Sequence, residues 1–162
     1  MSDIDITLTD NSALILSEFE AAVTRALERC GLKAEGYAKD LCPVDSGILR
    51  DSITHEVGYD GDNSVAVGTV KKYAVYVEMG TGAYVSGGRN GWWVYVPGSG
   101  SSGKSNGKTY SYEQARRIMM MLRSKGLDAH MTCGQPPKPF IKPAVADHAQ
   151  TYNNIIKDEL GG

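Results

Sequence analysis

A single amphipathic pattern that ends at a proline constrains this fold more than any other feature of the sequence. From Ser12 to Leu41, apolar residues recur at steps of three and four, which places them on one face of a long helix. The residues on that face are Phe19, Val23, Ala26, Leu27, Cys30, Ala34, Tyr37, Ala38 and Leu41. Pro43 cannot continue the helix and favours an extended conformation at Cys42. We therefore predict a helix over residues 12–42.

Two stretches of alternating residues follow this helix and predict a β-hairpin. Residues 52–59 and 64–70 both alternate apolar or β-branched side chains with polar ones, as half-buried strands do. On the first strand the residues sharing one face are Ile53, His55 and Val57. The segment 60–63 between the strands is Asp-Gly-Asp-Asn, which is typical of a turn.

The sequence determines the secondary structure of the segments on either side of the hairpin less clearly. Asp45 precedes a short apolar stretch, and we predict that it caps a helical turn at residues 48–50. Residues 71–79 are compatible with a strand or with a short helix, and Gly80-Thr81-Gly82 ends this run.

Residues 90–133 contain a strand, a loop, a helix and a second strand. Residues 92–96 are aromatic and β-branched and predict a strand, whereas 97–108 are rich in Gly and Ser and predict a loop. Ser111 and Gln114 have the spacing of a capping box, so we predict that a helix begins there and runs to Ser124. A short strand is expected within residues 127–132.

The C-terminal part of the chain begins with an extended loop and ends in a helix. Residues 134–139 include three prolines, and residues 143–160 carry an apolar stripe. That stripe comprises Val145, His148, Tyr152, Ile155, Ile156 and Leu160. The fold class is α+β, with the long N-terminal helix and the C-terminal helix packed on a small, mainly antiparallel sheet. We predict a single domain over residues 1–162, elaborated by the loop and helix of 90–133.

Composition and charge exclude several classes of protein. The formal net charge is −2, whereas a protein that grips many phosphates carries a basic surplus. Three cysteines without a CxxC spacing indicate reduced thiols. Residues 1–11 do not resemble a signal peptide, and no apolar run approaches the ~20 residues of a membrane span. We expect a soluble protein made inside a cell, with no membrane partner.

One match to a catalytic motif is set aside on physical grounds. Residues 98–105 fit the phosphate-binding pattern GxxxxGK[ST], with Lys104 as its lysine. In that motif the Lys-Ser step opens a helix whose amides hold the phosphates. Here Asn106 and Gly107 follow at once, and the next helix signal begins only near Ser111. The segment is therefore interpreted as a linker, and a nucleotide-binding enzyme remains the alternative from another class.

Metal, cofactor and nucleophile sites are not indicated either. His55, His130 and His148 lie far apart in the sequence and pair with no cysteine at the spacing of metal ligands. Cys30 lies on the apolar face of the first helix and is interpreted as a small hydrophobic residue. Cys133 has no evident His/Asp arrangement that would activate a nucleophile. We expect no catalytic residue, no metal and no cofactor.

Aromatic residues cluster between positions 73 and 95 and have two possible roles. Tyr73, Tyr76, Trp92 and Trp93 belong to this cluster, which forms either the core of a sheet or an interface with another protein. Trp92 and Trp93 are adjacent, so on a strand they face opposite sides. The second indole then needs a cover, from the inserted helix or from a neighbouring subunit.

Three segments together resemble one family. They are Cys42-Pro-Val-Asp-Ser-Gly-Ile-Leu-Arg-Asp-Ser-Ile53, Tyr73-Ala-Val-Tyr-Val-Glu-Met-Gly-Thr-Gly82 and Gly134-Gln-Pro-Pro-Lys-Pro-Phe-Ile-Lys-Pro-Ala144. Their order, spacing and flanking helices are similar to those of the HK-ninety-seven gp-ten-like family of tailed phages. That family comprises tail-component, neck or tail-completion proteins. Residues 90–133 are longer here than in compact members.

The resemblance implies a structural protein of the virion with no enzymatic activity, assembled in the host cytoplasm. It implies a homo-oligomeric ring at the head–tail junction, through which DNA passes without sequence-specific binding. The ring would contact neighbouring connector or stopper proteins and the tail terminator or tail tube. A role as tail terminator or as another minor tail protein remains open.

The resemblance also identifies the residues expected to shape this protein. The expected structural residues are Pro43, Asp45, Gly47, Leu49, Arg50, Ser52, Tyr73, Glu78, Gly80, Thr81, Pro139, Phe140 and Pro143. The candidate interface residues are Tyr76, Trp92, Trp93 and Phe140.

Overall fold

The computed structural model describes residues 10–59, 61, 63–98 and 108–161. The chain forms two compact units. Unit 1 comprises the residues up to Val70 together with those from Ile141 onward, and unit 2 comprises Lys71–Phe140. Within the described residues there are six α-helices and two antiparallel sheets of two strands each, so the predicted α+β class is confirmed.

The long N-terminal helix, α1, spans Ser12–Leu41 without interruption. Its 30 residues give a rod of about 45 Å at about 1.5 Å per residue. Cys42 is extended, with φ −66° and ψ 126°, as the following proline requires. The prediction of this helix is confirmed.

The predicted hairpin is also confirmed and packs on α1. Strand β1 (Ile53–Val57) pairs antiparallel with β2 (Val65–Thr69), with Ile53 opposite Thr69 and Val57 opposite Val65. Of the predicted turn at 60–63, positions 60 and 62 lie outside the described residues.

Two helices, rather than the single one predicted over 143–160, complete unit 1. These are α5 (Ile141–Ala146) and α6 (Ala149–Leu160), with His148 at the junction between them. The Tyr152 hydroxyl of α6 donates a hydrogen bond to the carbonyl of Ala144 in α5 at 2.5 Å, which joins the two helices across the break.

Helix α6 runs antiparallel to α1 and covers its central turns. At one end Glu159 pairs with Arg25 and Arg29, and at the other the His148 ring stacks on Tyr37 with centroids 3.6 Å apart. The buried residues of α1 are all small, which lets the elements approach closely. They are Ala22, Ala26, Cys30, Gly31, Ala34 and Ala38.

At both ends of α1 the predicted burial is wrong. The sequence pattern places Phe19 and Leu41 on the packed face, but both side chains are exposed. The periodicity assigns them to the correct face of the helix. They lie outside the stretch between Arg25 and Tyr37 that α6 covers.

The short helix α2 (Ile48–Asp51) corrects another prediction. Its N-cap position is Gly47, with φ +80°, and no side chain caps it. Asp45 lies two positions earlier than this cap, so the prediction that it caps the turn is wrong.

Unit 2 begins with a helix, which decides between the alternatives for residues 71–79. Helix α3 spans Ala74–Met79 and leads into a 3₁₀ turn at Gly82–Tyr84. Strand β3 (Trp93–Tyr95) pairs antiparallel with β4 (His130–Thr132). The linker at 99–107 lies outside the described residues, together with most of the phosphate-loop pattern at 98–105.

Helix α4 (Tyr112–Ser124) connects these strands and carries the predicted capping box. The Ser111 hydroxyl accepts a hydrogen bond from the Gln114 backbone at 3.4 Å, and the Gln114 side chain accepts one from the Ser111 backbone at 3.1 Å. Gly126 ends the helix with φ +79°.

Among the described residues, none of the helices combines the length and the apolar composition needed to cross a lipid bilayer.

Candidate functional site

The first motif-like segment, residues 42–53, forms the corner that connects α1 to the hairpin. The Ser52 hydroxyl donates to the Leu49 carbonyl at 2.7 Å and lies 2.6 Å from the Thr69 hydroxyl on the partner strand. Leu49 is buried, whereas Arg50 is exposed and lies 3.2 Å from Asp51. Pro43 is half-buried and follows the last turn of α1. These residues shape a corner, and the geometry gives them no evident chemical task.

The second motif-like segment, 73–82, meets residues 134–140 of the third within unit 2. The Glu78 carboxylate accepts a hydrogen bond from the Phe140 backbone at 2.7 Å, and the Val77 carbonyl accepts one from Lys138 at 2.8 Å. Thr81 and Gln135 exchange two more, at 2.9 and 3.0 Å. We call this paired region the clasp.

Glycine is required where the two segments of the clasp approach each other. Gly80 has φ +80°, and a Cβ there would lie 2.8 Å from both the Gln135 carbonyl oxygen and the Pro137 nitrogen. Gly134, with φ +120°, would place a Cβ inside the Thr81 carbonyl. The segments that resemble the family therefore hold one another by backbone contacts that no larger residue permits.

The predicted structural and interface residues of these segments differ in their exposure to solvent. Phe140 is completely buried, so its side chain presents no surface to a partner. Pro139 is exposed, and Pro143 lies half-buried inside α5 of unit 1. Tyr73 and Tyr76, in contrast, are exposed.

Helix α3 exposes an apolar face that sequence reasoning identified only in part. Ala74, Val77 and Glu78 are buried or half-buried along one side of the helix. The other side bears Tyr73, Val75, Tyr76 and Met79, which are 44–62% exposed. We call these four residues the α3 patch. Exposed apolar clusters of this kind mark interaction surfaces.

The adjacent tryptophans contact different parts of unit 2. The Trp92 ring meets Tyr112 of α4 edge-on, with centroids 5.2 Å apart, so the inserted helix contacts this indole. The Trp93 ring lies 5.2 Å from the Arg89 guanidinium, and its edge would be 2.8 Å from a Cβ on Gly82. Both indoles are half-buried within the single chain.

Sequence reasoning missed an ionic cluster around His55 in unit 1. Its Nδ1 lies 2.6 Å from Glu35 and its Nε2 lies 3.2 Å from Glu28, both on α1. Gly31 lies between these two glutamates, and a Cβ there would overlap the imidazole. The sequence places residues 28, 31 and 35 on one helix face and His55 on the inward face of β1, but it does not show that these two faces meet.

The charges in this cluster shift the acidities of its members. The hydrogen bond to Glu35 raises the pKa of His55; burial opposes this effect and Glu28 adds to it. The hydrogen bond from Lys39, followed by that from His55, lowers the pKa of Glu35. The cluster therefore favours an imidazolium between two carboxylates, an arrangement that ties β1 to α1.

The cysteines are free thiols, and His130 has partners close to it in the sequence and across the sheet. All three cysteines are free, and burial raises the pKa of the Cys30 and Cys42 thiols. His130 lies 2.9 Å from Asp128 and stacks on Tyr95. Within the described ranges, no group of three or more His, Cys, Asp or Glu side chains is placed to hold a metal ion.

Comparison with known protein families gives a match over the N-terminal part of the chain. The model of a protein family described as "Bacteriophage HK97-gp10, putative tail-component" matches residues 12–80. That segment includes α1, the corner, the hairpin and α3, and it ends before the proline-rich half of the clasp. The predicted resemblance is confirmed over this segment, and it indicates a phage tail component. No curated protein and no solved structure matches the chain.

Proposed function

We propose that this protein is a structural subunit of the head–tail connector of a tailed phage, forming part of a ring through which DNA passes. The observation that carries the proposal is the match of residues 12–80 to a family of phage tail components. In this proposal the chain acts by presenting surfaces to copies of itself and to adjoining virion proteins, and it catalyses no reaction.

The α3 patch supports a role in assembly. Four large apolar side chains lie exposed on one side of a six-residue helix, whose other side is anchored by the clasp. Aromatic residues held on a rigid support lose little conformational entropy on binding, which is why they are frequent in interfaces. We assign one subunit–subunit contact of the ring to this patch, with Tyr73 and Tyr76 as its aromatic anchors.

The clasp supplies the rigidity that this role requires. Its hydrogen bonds connect residues that precede β3, α4 and β4 with residues that follow them, so the two ends of this part of the chain are held together. In the proposal, β3, α4 and β4 contact a neighbouring protein of the connector or of the tail. The formal net charge of −2 suits a ring that lets DNA slide past without gripping it.

The location in the virion is tested by electron microscopy of particles in which this chain carries a label. We expect the label at the neck, between the portal and the tail. Label on the capsid shell or at the tail tip contradicts the proposed position. Particles that lack the chain contradict a structural role altogether.

A further inference from the structure

The first turns of α1 extend beyond the part of the helix that α6 covers. Glu159, one residue before the end of α6, pairs with Arg25 and Arg29. Every residue from Ser12 to Ala21 is exposed. These ten residues, which we call the arm, project over about 15 Å.

The arm is apolar although it is exposed. Leu14, Ile15, Leu16 and Phe19 are 55–63% exposed, and Glu18 and Glu20 are the arm's charged residues. Exposed apolar surface of this extent on a rigid helix indicates a surface that becomes covered on association.

Unit 1 also carries an apolar groove, which α1, β2, α5 and α6 form together. It encloses about 170 Å³, and its α1 side consists of Leu27, Cys30 and Ala34. An apolar cavity of about 150 Å³ accepts a benzene ring, so this groove has room for a Phe side chain. The Tyr152 hydroxyl on its wall already donates to Ala144, which leaves the groove without an unsatisfied polar group there.

The arm and the groove are related by the geometry of one helix. Leu16 and Phe19 precede Leu27 and Cys30 by eleven residues each, which is about three helical turns, so the two pairs lie on the same face of α1. Their charges are complementary as well. The arm carries two glutamates and no basic residue. The charged residues that adjoin the groove lining in the sequence are Glu28, Arg29, Lys33, Glu35 and Lys157. Glu28 and Glu35 pair with His55, and Arg29 pairs with Glu159, which leaves Lys33 and Lys157 outside the ion pairs found among the described residues.

We propose that the arm of one copy docks in the groove of a second copy of this chain, with the Phe19 ring entering the groove and Leu16, one turn away, contacting its rim. Because the arm and the groove are different surfaces, each copy can give one arm and receive another, as a closed assembly requires. This inference builds on the self-assembly proposed above. It does not depend on where in the virion the assembly lies, which labelled particles test separately.

Two variants separate the two halves of the contact. Phe19→Asp removes the aromatic side chain of the arm at an exposed position, and Val145→Trp fills the groove from its half-exposed rim. We expect each to raise the dissociation constant for self-association at least about tenfold in sedimentation velocity, as the loss of a central interface residue does. Leu41→Asp is the matched control, because Leu41 is an exposed apolar residue at the other end of α1, and it should associate as the wild type does.

Mixing the two variants gives the decisive result. Phe19→Asp keeps an intact groove and Val145→Trp keeps an intact arm, so an equimolar mixture should form pairs containing one of each. A wild type that stays monomeric at millimolar concentration overturns the proposal. So do variants that associate as the wild type does, or a mixture that remains monomeric.

The chain's own N-terminal segment is the competing occupant of the groove. If residues 1–9 filled it, Val145→Trp would lower the melting temperature of the full chain but not that of a chain lacking these residues. Self-association would then be unchanged in the variant. That combination of results overturns docking by a second copy.

Discussion

The carboxylate of Glu78 accepts a hydrogen bond from the backbone N–H of Phe140, 62 positions away in the sequence, at 2.7 Å. Phe140 is completely buried, so its N–H has no ready access to water. A carboxylate is a strong acceptor for such a group, and the bond fixes the end of the proline-rich segment against α3. It therefore supports the helix that displays the α3 patch.

The first prediction concerns this bond. Glu78→Ala should lower the free energy of unfolding by about 1.5–3 kcal/mol, because a buried donor loses a charged acceptor. Glu78→Gln keeps an acceptor oxygen and should lose less. Urea denaturation of both variants measures the difference. Unfolding curves identical to the wild type in both cases would show that the Phe140 N–H does not depend on Glu78.

The second prediction compares two glycines of α1. In Gly31→Ala the new methyl group would overlap the His55 ring and lie 2.9 Å from Val65, so we expect a loss of about 1–3 kcal/mol. A Cβ added at Gly36 would meet no other atom within 4 Å, so Gly36→Ala should stabilise the helix by about 0.5–1 kcal/mol. Thermal unfolding monitored by circular dichroism measures both. A stabilising Gly31→Ala would contradict the close approach of β1 to α1.

Local patterns predict the elements of this fold well. Helix α1, the hairpin and the capping box of α4 each depend on residues close together in the sequence, and all three are confirmed. The capping residue predicted for α2 is wrong. Residue type alone favours Asp45, but a glycine with positive φ, Gly47, occupies the N-cap position.

Features that depend on distant partners could not be predicted in the same way. The sequence places Phe19 on the apolar face of α1, but it does not show where α6 ends, and that position decides whether Phe19 is covered. The sequence shows the clasp only as two motif-like segments, and their pairing depends on the path of the chain between them. The ionic cluster joins His55 to Glu28 and Glu35, and no local pattern specifies which helix face meets which strand.

The third prediction is a pH dependence that arises from this cluster. The pKa of His55 in the folded protein is raised above its ordinary value of 6.5. The imidazolium therefore contributes its full stabilisation at pH values below 6.5, and this stabilisation is lost as the pH rises through the raised pKa. The pKa of Glu35 in the folded protein is lowered below its ordinary value of 4.5. The carboxylate therefore contributes its full stabilisation at pH values above 4.5, and this stabilisation is lost as the pH falls through the lowered pKa. Stability from the cluster is therefore greatest between these two ordinary values.

Urea denaturation at about pH 6 and about pH 8 tests this dependence, since histidine changes charge in this range. The wild type should lose more stability between the two values than His55→Gln, whose amide does not titrate. Glu28→Gln, which removes the more exposed of the two carboxylates, should retain most of the difference. Equal losses in the wild type and in His55→Gln would show that the dependence arises elsewhere.

The fourth prediction separates assembly from folding at the α3 patch. Tyr76→Asp introduces a charge on an exposed side chain, so the melting temperature should change little, whereas self-association should weaken at least about tenfold if the patch is buried between subunits. Tyr59→Asp is the matched control, since Tyr59 is a similarly exposed tyrosine outside the patch. Sedimentation velocity and thermal unfolding together measure the two effects.

Combining Tyr76→Asp with Phe19→Asp then shows whether the α3 patch and the arm make separate contacts. Changes at independent sites add in free energy, so the double variant should show the product of the two increases in dissociation constant. A double variant no weaker than the single ones would place both residues in one contact. If Tyr76→Asp and Tyr59→Asp weaken association equally, the loss follows from the added charge alone. That result would show that the α3 patch is not part of the ring interface.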